Sequence, residues 1–335
     1  MSDRHAQIVR FLADTEWSPA ALTPITGDAS ARRYFRLHHQ NQSAILMDAP
    51  PHANPNIEPF LRIADWLREN GLSAPQILHS DPSTGFILIE DLGDALFASL
   101  TAKAIEPEQT LYRAATDVLV ELTTITSPPN LPQFTPMIMA DQIDLLFDWY
   151  LTGLDTSEIS AIQGELETAL HLCSAPPTIL LRDYHAENLI WLPDRKGTAR
   201  VGLLDFQDAM IGPPGYDLVS LLWDARRDVT PGTVKAMIQY FAQATGRTID
   251  DTQTAFAIIG LQRNLRILGI FARLCLRDGK PRYIDFIPRV FGYVQSSLHH
   301  PALARLNDLL GSRLPKPTPQ HLDQLRQKCA TAPTR

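Results

Sequence analysis

Cysteine is scarce in this chain: Cys173, Cys275 and Cys329 are far apart and odd in number. Neither a zinc-ligand spacing nor a disulfide framework can be drawn from them, which points to a reducing, cytoplasmic setting. No apolar run approaches the ~20 residues of a membrane helix. The opening stretch, MSDRHAQIVRFLADTEW, carries charges where a signal peptide has its apolar core. Positive charge is not in excess either. A net charge of −7 and a pI near 5.8 argue against a nucleic-acid backbone as the main partner. There is no internal repeat, and neither lysine nor arginine occurs between Gln40 and Phe60. The expectation is a soluble cytoplasmic protein with no nucleic-acid or membrane partner, working as a monomer or weak dimer.

What is present is 335 residues, 44% apolar and 20% charged, enough for two lobes around ordinary cores. The most informative stretch is Leu180–Asp208, LLRDYHAENLIWLPDRKGTARVGLLDFQD. Asp183 precedes Asn188 by five residues; an apolar run, a turn rich in charge and glycine, and a second apolar run ending at Asp205 follow. This reads as loop, strand, turn, strand, a hairpin that gathers the three polar residues. Asp and Asn also favour turns for local reasons. Two framed motifs in order nevertheless match what phosphoryl transfer from ATP requires. One carboxylate takes the proton of the acceptor hydroxyl, while a second carboxylate and an amide oxygen hold Mg²⁺ on the phosphates.

The rest of the chain is read around that stretch. A short helix is expected over residues 4–15, then strands at Leu22–Ile25, Tyr34–Leu37 and Ala44–Met47. The loop between the first two (Thr26 to Ser30) has one glycine, Gly27, and small neighbours that allow close backbone approach. Arg32 and Arg33 follow at once, either as a phosphate clamp with Ser30 or as a solvated basic shoulder. Met47 stands where kinases place a lysine. A helix over Glu58–Arg68 is followed by strands Gln76–His79 and Gly85–Glu90. The segment Glu90–Leu92 looks like an interlobe hinge that reads adenine through its backbone. Helices are expected at Thr110–Thr124, Ala140–Leu154 and Ser157–Cys173, with Pro128–Pro136 as a linker. Beyond Asp208, a Gly-Pro-Pro-Gly turn opens a helix with Asp217 near its start, a favourable place for a carboxylate. Phe256–Leu276 reads as a helix whose arginines 263, 266 and 273 form either a solvated face or a seat for an acidic substrate.

The strings L-R-D-Y-H-A-E-N and D-F-Q depart from the protein-kinase signatures, and no A-P-E follows Asp205. They resemble the aminoglycoside-phosphotransferase and choline-kinase branch. With G-D-A-S-A-R-R-Y-F-R, M-D-A-P-P and Q-R-N-L-R-I-L-G-I-F-A-R-L, the motif order over residues 5–295 looks most like the bacterial anomeric N-acetylmuramate/N-acetylglucosamine kinases of cell-wall recycling. That group similarly has methionine in M-D-A-P-P. Leucine before Arg182-Asp183, in place of the usual histidine, is a departure, and the resemblance says nothing of the tail after Pro301.

The resemblance implies an α+β, bilobal protein-kinase-like fold: a small β-rich N-lobe with one helix (1–92) and a larger, mainly helical C-lobe (93–335). It implies Asp183 as catalytic base, Asn188 and Asp205 as Mg²⁺ ligands, and Asp217 as structural support. Gly27, Ser30, Arg32, Arg33, Glu90 and Leu92 would bind ATP; His185, Gln207, Arg263 and Arg266 would face the sugar. An aminoglycoside or amino-alcohol phosphotransferase is the alternative within the enzymes. A catalytically weak nucleotide-binding regulator is the alternative outside them, motivated by Met47.

Overall fold

The computed structural model describes residues 3–25, 32–53, 56–173 and 175–332. The expected loop at Gly27 and Ser30 lies outside them. In chain order, α1 (Asp3–Leu12) is followed by β1 (Ala21–Ile25), β2 (Arg33–His39), β3 (Gln42–Asp48), α2 (Glu58–Glu69), β4 (Ile77–Asp81) and β5 (Phe86–Glu90). Helices α3 (Phe97–Ala102), α4 (Glu108–Leu122), α5 (Pro136–Asp141), α6 (Asp144–Trp149) and α7 (Thr156–Leu170) come next. Short strands β6 (Thr178–Leu180), β7 (Leu189–Trp191), β8 (Val201–Leu203) and β9 (Met210–Gly212) then lead to α8 (Tyr216–Leu222). Helices α9 (Pro231–Ala244), α10 (Ile249–Leu276), α11 (Ile287–Leu298), α12 (Ala304–Leu310) and α13 (Pro319–Gln327) complete the chain. The architecture is a five-stranded antiparallel sheet at the N-terminal end and a mainly helical remainder.

Contacts divide the chain into two compact units, Met1–Glu121 with Ala186–Ala209, and Leu122–His185 with Met210–Arg335. The expected division at residue 92 followed the change from strands to helices. The contact division instead assigns the β7–β8 hairpin to the same unit as the sheet.

In the first unit the sheet runs β1-β2-β3-β5-β4. Successive side chains on a strand face opposite sides, so the register of β3 with β5 puts Leu46 and Leu88 on one face and Met47 and Ile87 on the other. The Leu46 face is covered by Ile8, Phe11 and Leu12 of α1 and by Trp17. Each such burial contributes about 1.5–3 kcal/mol. Helix α1 is also tied down by charge. Arg4 donates from Nε and Nη2 to Oδ1 of Asp48 at 2.9 and 2.6 Å, and its guanidinium sits 3.8 Å above the Phe86 ring. Asp48 is fully buried and also accepts from Nη2 of Arg33 at 2.5 Å. Arg33 itself is 55% exposed. Losing one partner of a buried ion pair strands the other charge. Arg4→Ala should therefore cost roughly 3 kcal/mol, read as a lower urea midpoint; an unchanged midpoint would mean that Arg33 alone satisfies Asp48.

The hairpin joins the first unit through specific bonds. Leu203 N–H donates to Ser73 O (2.9 Å), Trp191 N–H to Ala95 O (2.8 Å) and Ala98 N–H to Ala186 O (3.0 Å). Arg195 reaches back to Glu90 Oε1 (2.5 Å) and Ser73 Oγ (2.7 Å).

The second unit is organised on α10, 28 residues long with 18 of them buried. By length and composition this helix is apolar enough to cross a membrane, but its apolar window is 89% buried in the fold, as in a core helix. At Gly269 a Cβ would lie 2.1 Å from the Leu145 carbonyl oxygen, so only glycine lets α10 meet the backbone of α6. Two expectations are corrected here. Helix α10 starts at Ile249, capped by Thr248, whose Oγ1 accepts from Asp251 N–H at 3.0 Å. In place of one helix over Ala140–Leu154 there are two short ones, α5 and α6. Thr135 caps the first, with Pro136 opening it.

Candidate active site

Within the first unit, Asn188 and Asp205 flank the β7–β8 ladder. Leu204 N–H donates to Asn188 O at 3.0 Å, which brings the backbone of Asn188 beside the residue preceding Asp205. Asp205 has φ +59°, a conformation non-glycine residues rarely adopt, and its side chain is 45% exposed. Next to it Phe206 is fully buried and stacks on Phe60 of α2 with ring centroids 5.0 Å apart. A buried anchor thus holds a strained, solvent-facing carboxylate, which is how strain is kept at functional positions. Oδ1 of Asp205 accepts from Gln207 Nε2 at 2.8 Å and lies 3.9 Å from Nη1 of Arg32.

The two adjacent arginines therefore differ. Arg33 is tied to Asp48. Arg32 continues the alternation of β2 on the face of Tyr34, whose cross-strand partner is Met47. Met47 is fully buried, so the strand position expected to hold a lysine is a packing position, and Arg32 is the cation beside it that reaches Asp205. Tyr34 was not singled out in the sequence; it stands two residues beyond Arg32 on the same face. Burial pushes its phenol above the ordinary value, with the Arg32 charge opposing and Asp205 adding.

At the expected hinge, Glu90 is spoken for. Its N–H donates to Gln76 O (2.8 Å), and its carboxylate holds Arg68 (3.3 Å) and Arg195 (2.5 Å). Leu92 is buried in the same unit. Asp91 Oδ1 accepts from Gly93 N–H (2.9 Å) and pairs with Arg36, which bridges to Asp94.

Within the second unit, Asp183 is exposed and follows Arg182, whose φ is +70°. The fully buried α8 fixes that backbone. Asp217 accepts from the N–H groups of Leu181 (2.6 Å) and Arg182 (2.9 Å), and Ser220 Oγ donates to Arg182 O (3.3 Å). The Arg182 guanidinium donates to Met210 Sδ (3.2 Å) and lies 5.1 Å from the centroid of the Phe134 ring. Arg263, expected either on a solvated face or facing the sugar, is buried, with Nη2 donating to Ser220 Oγ at 2.6 Å. Arg266 is drawn below its ordinary value by burial, while the nearby charge of Asp183 works the other way.

His185 is buried, with Nε2 3.3 Å from Nη1 of Arg226. Burial, reinforced by the Arg226 and Arg263 charges, keeps the ring well below the usual imidazole range and therefore neutral near pH 7. Ser220 and Arg226 were missed in the sequence. The only signals for them were the i, i+3 spacing from Asp217 and the acid–arginine run Asp224-Ala225-Arg226-Arg227.

Burial raises the Asp217 carboxyl to about 6, against the two backbone bonds and Arg263, which favour its charge. The folded chain therefore binds this proton more tightly than the unfolded chain. The group's contribution to stability is fully present below about pH 3.8 and declines as pH rises toward about 6. Asp217→Asn should flatten that part of the urea-midpoint pH profile. Persistence of the slope in the variant would assign it to another group.

Residues 21–250 match the phosphotransferase enzyme family (APH). The chain belongs to this family. It is 38% identical to an N-acetylmuramate/N-acetylglucosamine kinase of Caulobacter vibrioides, over 91% of this chain and 95% of that one. It is 34% identical to the protein of the same name from Pseudomonas aeruginosa, over 89% and 90%. Among solved structures, a choline/ethanolamine kinase family protein from Mesorhizobium loti has a TM-score of 0.62 at 16% identity, covering 97% of this chain and 99% of its own. At that identity the likeness is one of fold: the protein-kinase-like fold shared by choline kinases and aminoglycoside phosphotransferases.

Proposed function

We propose that the chain is a cytoplasmic, ATP-dependent small-molecule kinase that transfers the γ-phosphate to the anomeric hydroxyl of N-acetylmuramate or N-acetylglucosamine. The observation that carries this reading is nearly end-to-end similarity to kinases named for those sugars. Asp183, Asn188 and Asp205 are all present in the expected order.

Asp183, an exposed residue, orients the acceptor hydroxyl and accepts its proton. Asn188 and Asp205 offer one amide and one carboxylate oxygen. That small donor set suits Mg²⁺, which keeps phosphate oxygens and waters among its ligands. Held by those two residues, the ion would supply positive charge to offset that of the phosphates. Arg32 supplies the remaining cation in the role that a strand lysine has elsewhere, with Gly27 and Ser30 of the preceding loop. Arg33 contributes mainly by holding Asp48. The base edge of ATP is read by backbone groups near Leu92, and Glu90 braces that segment through Arg68 and Arg195. Gln207 and His185 are assigned to acceptor recognition, and Arg266 suits the carboxylate of N-acetylmuramate. Cationic acceptors such as aminoglycosides would meet arginine on α10, which disfavours them. The enzyme needs no nucleic-acid or membrane partner and acts as a monomer or weak dimer.

Phosphorylation at carbon 1 removes the sugar's reducing end. With N-acetylglucosamine and Mg²⁺-ATP, reducing-sugar signal should disappear in step with ADP release. ADP release with reducing power retained would put the phosphate on another hydroxyl.

A further inference from the structure

The arginine at 263 has a role that its place on α10 alone does not suggest. Its side chain is buried, 7% exposed, and its Nη2 donates to Ser220 Oγ at 2.6 Å. Ser220 in turn donates to the carbonyl oxygen of Arg182 at 3.3 Å. One turn earlier on α8, Asp217 accepts from the N–H groups of Leu181 and Arg182. The left-handed residue before Asp183 is thus held on both its N–H and C=O sides by residues three apart on one helix. Arg263 stands behind them, and its charge favours the ionised forms of the buried Asp217 and Asp224. A left-handed arginine is a strained conformation that persists only where its surroundings over-determine it. A serine hydroxyl rotates freely to suit its partners. A fixed donor on its oxygen directs the hydroxyl hydrogen to the Arg182 carbonyl.

Resting on the kinase reading above, we propose that Arg263 and Ser220 are positioning residues. Acting as a relay, they lock the Arg182 peptide and so set the direction of the Asp183 carboxylate, and Arg263 does not contact the sugar. The competing role has one feature in its favour: Nη1 of Arg263 has no hydrogen-bond partner among the described residues, and a substrate carboxylate would supply one.

The two roles separate in a double-mutant cycle with N-acetylmuramate and N-acetylglucosamine as acceptors. Ser220→Ala should lower kcat roughly tenfold, the worth of one ordinary hydrogen bond, with KM for ATP and both sugars unchanged. Arg263→Met should do the same, and Arg263→Lys should recover part of the loss because its ammonium still donates to Ser220. The double variant should be no worse than either single one, since both break the same relay. A rise in KM confined to N-acetylmuramate on Arg263→Met, persisting in the Ser220→Ala background, would overturn the proposal in favour of direct substrate contact. If the wild-type enzyme turns over neither sugar, the kinase reading falls. The relay is still read by hydrogen exchange: faster exchange in Ser220→Ala at the Asp183 amide, which shares a peptide group with the Arg182 carbonyl and donates to Leu181 O at 2.9 Å, supports it, and unchanged exchange overturns it.

Discussion

Replacing Asp183 with alanine should lower turnover roughly 10³-fold, within the range for loss of a general base, while Mg²⁺-ATP affinity stays at the wild-type level. The reason is a division of labour. Asp183 belongs to a segment whose backbone is clamped by α8 through Asp217 and Ser220, and its own side chain is exposed. Removing an exposed carboxylate leaves that clamp intact, so the fold and the nucleotide site should survive. Calorimetric titration with ATP beside a coupled ADP-release assay reads both quantities. Full activity in Asp183→Ala would remove the base from the account, and lost ATP affinity would move Asp183 to the nucleotide side.

The second large effect lies on the metal side. Asp205→Asn should lower turnover roughly 10²–10³-fold, as does removal of one preorganised electrostatic group elsewhere. Unlike Asp183→Ala it should also weaken Mg²⁺-dependent nucleotide binding. Asparagine tolerates the left-handed backbone at this position at least as well as aspartate, and Phe206 still anchors the segment against Phe60. Stability should therefore hardly change, and the loss is one of charge. Mg²⁺-ATP affinity and urea midpoint measured on one preparation test this. Wild-type Mg²⁺ dependence in the variant would contradict the metal-ligand role.

The hairpin that carries Asn188 and Asp205 was legible because two apolar runs flank a charged, glycine-bearing turn. The strands of the sheet were legible through their alternation. What stayed hidden depends on contacts across sequence distance. Arg32 and Arg33 are indistinguishable as neighbours in a string. They separate only because one strand face holds Tyr34 and Met47 while Asp48, on the other, takes Arg33 together with Arg4 from α1. Arg263 looked like a member of a basic stripe. Its burial against Ser220 comes from α8 packing on α10, a contact that no periodicity encodes. Met47 looked like an anomaly because a lysine was expected; its complete burial makes it part of the sheet's packing.

The most direct test of the central claim is ADP release by the wild-type protein with Mg²⁺-ATP and N-acetylmuramate, N-acetylglucosamine, kanamycin or choline as acceptor. Turnover on the two N-acetyl sugars, with kanamycin and choline silent, is the predicted result. Turnover on kanamycin or choline alone, or silence on all four while ATP still binds, would contradict the amino-sugar kinase account.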